Sequence, residues 1–254
     1  MIPKKPSKKF LQAFLEAQYQ SFNVECAISK ELPDPLLVAR KFNNEKIALF
    51  CALFAYGNVR AILNFLNSCD LEILLQKKDK EIAKKVCINK SYRFQKNIEI
   101  FDFFQALWGL DSLEEIFYAG YQKNGILGGI QNLQSVIYRS LKDPNSKGIR
   151  FLLGVPITEK NTSPLKRWNL FLRWMVRKDR LDLVLWNSIN KKDLLLPLDT
   201  HTFKVSQRLG LLKRKSYDYR AVFEVSEKLR EFDASDPIKY DFALYRIGQL
   251  GILN

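Results

Sequence analysis

Histidine is nearly absent from the sequence, since His201 is the only one in 254 residues. A single imidazole cannot supply a metal site that needs several, and it argues against a Ser-His-Asp hydrolase. Cysteine is also scarce: Cys26, Cys51, Cys69 and Cys87 lie far apart and form neither paired zinc ligands nor a tight iron–sulfur run. We therefore expect reduced thiols, mostly in the core, and neither a metal nor another cofactor.

The sequence also has few glycines and no long apolar run. The longest apolar stretch, from Ala48 to Tyr56, is too short to cross a bilayer. The first residues carry lysines but no apolar signal-peptide stretch, so we expect a cytoplasmic protein. Only 11 glycines accompany many Leu, Lys, Phe and Ile residues, which favours an all-α fold over a β architecture rich in turns.

Positive charge is abundant, with a formal net charge of +14. Between Lys147 and Arg220 the chain has 17 Lys and Arg against 6 Asp and Glu, an excess of 11. A basic field this concentrated favours a polyanionic partner, either nucleic acid or an acidic membrane, although a merely solvated basic surface is the alternative. Neither terminus has a strongly amphipathic Lys/Trp helix, so a membrane partner is the weaker reading.

Helical periodicity recurs along almost the whole chain, with short connections and a loop from Asp143 to Gly148. In the basic segment, Ser163 and Pro164 have the cap-then-proline pattern of a helix start. Lys166 then falls in the first turn, where the helix dipole opposes a positive charge. A neutral amine is a nucleophile, so Lys166 is a catalytic candidate, although a solvated lysine that tolerates its position is the simpler reading.

A second helix start contains the only histidine, in the stretch PLDTHTFKVSQRLGL from Pro197 to Leu211. Asp199 suits the N-cap position and Gly210 the position just after the helix. Capping alone would explain Asp199. His201 lies in the first turn, where a histidine is more often a hydrogen-bonded structural group than a ligand.

These two starts together resemble the helix-hairpin-helix DNA glycosylases, the superfamily of endonuclease III and the 8-oxoguanine glycosylases. Their signature VDTH-x-F-R-V-x-x-R-L-G-L is matched at Asp199, Thr200, His201, Phe203, Val205, Arg208, Leu209, Gly210 and Leu211. The hairpin departs from the usual L-P-G-V-G-x-K, because this chain has NTSPLKRW, and the interval from lysine to aspartate is longer than in endonuclease III. Both departures are similar to the archaeal type of 8-oxoguanine glycosylase.

Across almost the whole chain the sequence is similar to the Helicobacter-type 8-oxoguanine glycosylase family. The stretches FAYGNVRAI, SYRFQKN, LKRWNLFLRWMVRKDRLDLVLW and DPIKYDFALYRIG carry that likeness. The resemblance implies two helical domains with a DNA-binding cleft between them. The C-terminal part of the sequence has no cysteine quartet, so we expect no iron–sulfur cluster of the kind found in endonuclease III. We expect a central domain over residues 46–189 that ends in the atypical hairpin, and a second domain from residues 1–45 and 190–254.

The resemblance also implies roles for individual residues. Lys166 would attack the sugar of a nucleotide whose base is flipped out of duplex DNA, and would form a Schiff base with it. This chemistry gives glycosylase and AP-lyase activity on 8-oxoguanine. Asp199 would stabilise the positive charge that develops on the sugar. Asp241 would read the base edge and Tyr245 or Phe242 would stack on its face, with Trp108 as a weaker pocket candidate. Tyr56 and Asn58 are candidates for the wedge inserted into the DNA. Plausible phosphate contacts are Arg167, Lys204, Lys213, Arg214 and Lys215.

Three alternatives remain open on the sequence alone. The protein could excise another lesion, an oxidised pyrimidine or an alkylated purine, with the same fold. It could bind DNA through the hairpin without catalysis, although pure binding needs neither Lys166 nor Asp199. Phe242, Tyr245 and Asp241 could instead be core residues and an ion-pair partner, and His201 could serve to hold the loop that presents Asp199. We expect a monomer located at the nucleoid.

Overall fold

The computed structural model describes residues 6–29, 32–76, 79, 81–82, 90–157 and 163–253 of the chain. Its described residues form eleven α-helices and no strand, apart from an isolated bridge between Tyr92 and Gln95, which confirms the predicted all-α class for this part of the chain. The helices are α1 (Lys8–Phe22), α2 (Leu36–Phe42), α3 (Glu45–Leu53), α4 (Val59–Asn67), α5 (Asn97–Trp108), α6 (Leu113–Ser140), α7 (Lys147–Leu153), α8 (Lys166–Val176), α9 (Thr200–Arg208), α10 (Tyr219–Arg230) and α11 (Asp241–Gln249). Within the described residues, no helix has the length and hydrophobicity that a membrane span requires.

The chain divides into two units, and the division differs from the predicted domains. Unit 1 comprises Met1–Ala27, Lys160–Asp182 and Asn190–Asn254, and unit 2 comprises Ile28–Glu159 and Leu183–Ile189. The predicted boundary had put the hairpin segment with the central domain. It belongs instead with the terminal segments, because Arg173 and Arg177 of α8 form buried ion pairs with carboxylates that lie after residue 230.

Unit 2 is built around α3, which is buried on all sides as its apolar sequence predicts. Phe50 of this helix packs on Phe54 and Phe103, with ring centroids 4.7 and 5.8 Å away. In α6, Asn124 and Gly125 leave helical geometry, and this break lets Gly120 approach the backbone at Gly128. A Cβ on Gly120 would lie 2.2 Å from that carbonyl oxygen, so the two halves of α6 can pack this closely only with glycine there.

Unit 1 holds the residues for which the sequence predicts chemistry. Helix α11 packs against α1 and α9 in this unit, and Leu15, Leu244 and Ile247 lie in its core with no exposed surface. The inward stripe of α8 includes Trp168, Leu172 and Met175, which are all buried as the periodicity predicts. Both predicted helix starts, before α8 and before α9, are therefore anchored to one core.

Candidate active site

Lys166 lies in the first turn of α8, as predicted. It is the first residue of the helix, because the helix begins two residues later than the Ser163-Pro164 pattern indicates. The residue before it, Leu165, occupies the N-cap position with a left-handed φ of 52° and forms no side-chain cap. Non-glycine residues rarely adopt this conformation, which costs about 1–2 kcal/mol. Leu165 is 6% exposed, so burial of its side chain offsets the strain. This is how the chain turns into α8 without a glycine.

Asp199 caps α9, as predicted, and is half-buried. Its Oδ1 accepts a hydrogen bond of 2.7 Å from the backbone N–H of Thr202. The helix N-terminus therefore holds one carboxylate oxygen in place, and none of the residues described donates a hydrogen bond to the other, Oδ2. A fixed carboxylate with one available oxygen can stabilise a positive charge beside it.

The loop that presents Asp199 is held by a tyrosine that the sequence analysis did not identify. The hydroxyl of Tyr217 donates a hydrogen bond of 2.7 Å to the carbonyl oxygen of Leu198. Burial and the negative charge of Asp199 raise the pKa of Tyr217 to about 12, so its hydroxyl keeps the proton that it donates. Tyr217 also packs edge-on against Phe203 of α9, at 5.5 Å between ring centroids.

His201 does not take part in that loop. Its side chain is exposed, and among the residues of the described ranges it has no hydrogen-bond partner. It lines a cavity of about 260 Å³ together with Lys204, Arg208 and Gly248. A Cβ on Gly248 would come within 3.0 Å of the Cβ of His201, so α9 and α11 pack closely at this point.

Asp241 is the first residue of α11 and is 4% exposed. Its Oδ2 accepts a hydrogen bond of 2.5 Å from Nη1 of Arg173. Burial raises the pKa of Asp241; the Arg173 charge opposes this shift, the Asp199 charge adds to it, and the Lys166 charge opposes it. Both predicted catalytic residues are therefore close enough to act on the Asp241 carboxyl, and unit 1 brings the three side chains into one neighbourhood.

Arg173 belongs to a buried ion-pair network in unit 1. Its Nε lies 3.0 Å from Asp182 Oδ1, and the other oxygen of Asp182 lies 3.0 Å from Nη1 of Arg177. Arg177 also binds Asp236 through Nε and Nη2, at 2.9 and 3.1 Å, and Asp179 at 2.8 Å. Burial lowers the pKa of both arginines, but the carboxylates outweigh it and raise the pKa above its usual range. This network was not predicted from the sequence, although an arginine two turns after Lys166 on a largely buried helix was its signal.

The two aromatic candidates on α11 differ in exposure. Phe242 is 5% exposed and lies under two guanidinium groups, with Arg246 at 4.8 Å and Arg173 at 5.8 Å from its ring centroid. Tyr245 is half-buried, and its ring centroid is 6.3 Å from that of Phe242. Tyr245 is therefore the more exposed ring of the pair, and the guanidinium of Arg246 lies 5.7 Å from its centroid.

The five predicted phosphate contacts fall into two groups. Lys204, Lys213 and Lys215 are exposed, and Arg167 is half-buried in the first turn of α8. Arg214 instead forms a two-pronged ion pair with Asp218, with Nε–Oδ1 at 2.7 Å and Nη2–Oδ2 at 2.5 Å. These hydrogen bonds raise the pKa of Arg214 and tie its guanidinium to its own chain.

The remaining candidates lie in unit 2. Trp108 is 5% exposed, and its Nε1 donates a hydrogen bond of 2.8 Å to the carbonyl oxygen of Gln76. Asn58 caps α4 by accepting hydrogen bonds from two backbone N–H groups of that helix. Tyr56 is half-buried; its hydroxyl donates to Gln95 Oε1, and its ring packs 5.0 Å from that of Phe151. Each of these side chains already has a structural contact in its own unit.

A patch next to Tyr56 was not predicted. Phe94 and Phe151 are 55% and 41% exposed, with ring centroids 4.4 Å apart. The guanidinium carbon of Arg93 lies 5.5 Å from the Phe94 ring centroid and 5.9 Å from that of Tyr56. Aromatic faces with a cation above them suit stacking against planar groups such as nucleobases.

Comparison with known proteins gives one result. A family model described as a protein of unknown function (DUF2400) matches residues 34–250. No curated protein and no solved structure matches the chain. The matched range includes Lys166, Asp199 and Asp241.

Proposed function

The chain belongs to the DUF2400 family, and we propose from its own residues that it is a DNA glycosylase with AP-lyase activity that removes 8-oxoguanine from duplex DNA. The observation that carries the proposal is the grouping of Lys166, Asp199 and Asp241 at the starts of three helices of unit 1. Helix α9 packs on α11, and the Arg173–Asp241 ion pair joins α8 to α11. A lysine at a helix start and a carboxylate with one available oxygen are what attack on a sugar carbon requires.

In the proposed mechanism, the neutral amine of Lys166 forms a bond to C1′ of the damaged nucleotide. The bond from C1′ to the base breaks, and the base leaves with the electron pair and takes up a proton from water. Asp199 stabilises the positive charge that develops on the sugar as this bond breaks, and it accepts the proton that the amine nitrogen releases. Oδ2 is suited to this role because Oδ1 is bound to Thr202.

The lyase step follows from the same intermediate. Opening of the sugar ring between C1′ and O4′ leaves an iminium between the lysine nitrogen and C1′, which makes the C2′ proton acidic. Loss of that proton expels the 3′ phosphate by β-elimination, and water then releases the lysine. This second step needs no base in the pocket, so abasic DNA is also a substrate.

Asp241 and Tyr245 are assigned to the flipped base. The carboxylate accepts hydrogen bonds from N–H groups on the guanine edge, and the half-buried ring of Tyr245 packs against the base. Exposed lysines of the same unit, Lys204, Lys213 and Lys215, are assigned to phosphates. The helix-hairpin-helix fold with its DNA cleft, a monomeric state and action at the nucleoid are parts of the same proposal.

Borohydride trapping tests the proposal directly. The protein is incubated with a duplex that carries one 8-oxoguanine opposite cytosine, and the reductant converts the Schiff base into a stable adduct. We expect an adduct with the wild type and with Lys178→Gln, a matched control because Lys178 is exposed in the same unit. Lys166→Gln should lose the adduct while it retains DNA affinity.

Three results would overturn parts of the proposal. Full base excision by Lys166→Gln refutes the lysine mechanism. An adduct with a duplex that carries an oxidised pyrimidine or an alkylated purine, but none with 8-oxoguanine, keeps the mechanism and refutes the substrate. Tight DNA binding without reaction on any lesion favours the non-catalytic binding protein.

A further inference from the structure

Arg173 and Lys166 lie on the same side of α8. The two residues are seven positions apart, which is two turns of helix. Lys166 is half-buried at the helix start, whereas Arg173 is 3% exposed. The helix that presents the proposed nucleophile therefore carries a buried guanidinium two turns below it.

The guanidinium of Arg173 is held from several directions. Asp182 binds its Nε, and the side chain of Asp182 is itself fully buried and shared with Arg177. The Phe242 ring lies against the guanidinium, at 5.8 Å. Since every partner is buried, Arg173 has little freedom to move, and neither has the carboxylate oxygen that it binds on Asp241.

Arginine has only hydrogen-bond donors, so the atom that faces Nη1 of Arg173 must be an acceptor. Oδ2 of Asp241 fills this role at 2.5 Å. None of the other described side chains or backbone groups donates to Oδ1 of Asp241. The Asp241 carboxylate thus has one oxygen, Oδ2, that is bound to Arg173 and one, Oδ1, that is available as a hydrogen-bond acceptor.

We infer that Arg173 is a positioning residue for base recognition: it fixes Asp241 so that the pocket presents a single acceptor oxygen and selects bases with N–H donors on that edge. This inference rests on the proposed function and goes beyond it, since it assigns the specificity to the arginine. A guanine-type edge offers donors at N1 and at the 2-amino group. An adenine-type edge offers an acceptor at N1, which would face Oδ1 without a proton between them.

Asp241→Asn is the decisive variant because it keeps the size of the side chain and replaces a hydrogen-bond acceptor in the pocket with a donor. The donor-only Arg173 should turn the amide carbonyl towards itself, so the amide NH₂ takes the place of Oδ1. A donor then faces the donors of 8-oxoguanine. We expect single-turnover excision of 8-oxoguanine to fall by about 100-fold, and excision of 8-oxoadenine to fall much less.

Strand cleavage at a preformed abasic site is the second readout. A purely structural role of Asp241 would lower abasic cleavage as much as it lowers 8-oxoguanine excision. Abasic cleavage presents no base to Asp241, so Asp241→Asn should lower it by less than about tenfold, against about 100-fold for 8-oxoguanine excision. Asp236→Asn is the matched control, since Asp236 is a carboxylate of the same network that binds Arg177 and not Arg173. It should keep the wild-type ratio of 8-oxoguanine excision to abasic cleavage.

Two substitutions of Arg173 complete the test. Arg173→Lys retains a cationic donor for Oδ2 and should keep the preference for 8-oxoguanine over 8-oxoadenine, with a rate within about tenfold of the wild type. Arg173→Met should lose that preference where it folds. If it does not fold, Asp241→Asn still decides the matter, because the arginine is intact in that variant.

The outcomes separate the inference from the proposed function. A wild type that cleaves abasic DNA and excises 8-oxoguanine, with Asp241→Asn equal to it on both, overturns the inference alone. An equal loss on both duplexes also overturns it, since Asp241 then has only a structural role. A wild type that reacts with neither duplex overturns the proposed function and the inference with it.

Discussion

Replacement of Arg177 by methionine should destabilise the protein by about 3–5 kcal/mol, the cost of removing one partner from a buried ion pair. The structure supports the upper part of this range. Arg177 is 2% exposed and donates to Asp236, Asp179 and Asp182 at 2.8 to 3.1 Å. Hydrogen bonds to charged groups contribute about 1.5–3 kcal/mol each, but those that share one guanidinium are not additive.

The loss should also depend on pH. In Arg177→Met, Asp179 and Asp236 stay largely buried without the guanidinium, while Asp182 keeps Arg173. Loss of the guanidinium raises the pKa of the Asp179 and Asp236 carboxyls above the value in the unfolded chain. A carboxyl with a raised pKa in the folded state favours folding as it protonates, so the destabilisation should be smaller at pH 5 than at pH 7.5.

Urea denaturation followed by circular dichroism at both pH values measures the two effects. Lys178→Met is the control, because Lys178 is the next residue and is exposed, and it should change the free energy of unfolding by less than about 0.5 kcal/mol. A cost below about 1 kcal/mol for Arg177→Met, or a cost equal at both pH values, would refute the reasoning on buried charge.

Three further predictions concern unit 1. Asp199→Asn should keep the melting temperature within about 2 °C of the wild type, because asparagine caps a helix as well as aspartate does. The same variant should lower 8-oxoguanine excision at least about 100-fold. A parallel loss of stability would assign Asp199 to capping alone. Gly210→Ala should cost about 1 kcal/mol in urea denaturation, because φ is +72° and no atom lies within 4 Å of the added Cβ; an unchanged midpoint would contradict this. Burial acts to raise the pKa of Asp233, but hydrogen bonds from Lys239 and Ser235 lower it to about 2, so the stability from this carboxylate is present above about pH 4 and lost as the pH falls towards 2. In an acid titration of stability, Asp233→Asn should lack part of that loss, and a curve identical to the wild type would exclude the contribution.

The sequence predicts most accurately what depends on neighbouring residues. Asp199 caps α9, and Gly210 follows its last turn with a left-handed φ, both as expected. The hydrogen bonds from Leu211 to Ser206 and from Gly210 to Gln207 close the helix end in the form that such a glycine permits. The apolar pattern of α3 likewise predicts the burial of its residues from Ile47 to Leu53. Each of these features is encoded within a few positions of the chain.

Features that join distant segments were not predictable in this way. Arg173 and Asp241 are 68 residues apart, and the sequence around either residue does not indicate that they form an ion pair. The start of α8 was predicted two residues early, because the rule for serine and proline does not anticipate a buried leucine in left-handed geometry. Tyr217 holds the Asp199 loop across 19 residues, a role that the sequence analysis assigned to His201.

The buried arginines also limit how far the net charge of +14 predicts the salt dependence of the proposed DNA binding. Binding to DNA becomes weaker with added salt in proportion to the number of phosphates that the protein neutralises, since each one releases condensed counterions. Arg173 and Arg177 are neutralised inside the protein by their own carboxylates and can displace none. In a plot of log affinity against log salt concentration, the slope should therefore report surface cations such as Lys204, Lys213 and Lys215, and it should be shallower than the basic segment from Lys147 to Arg220 suggests.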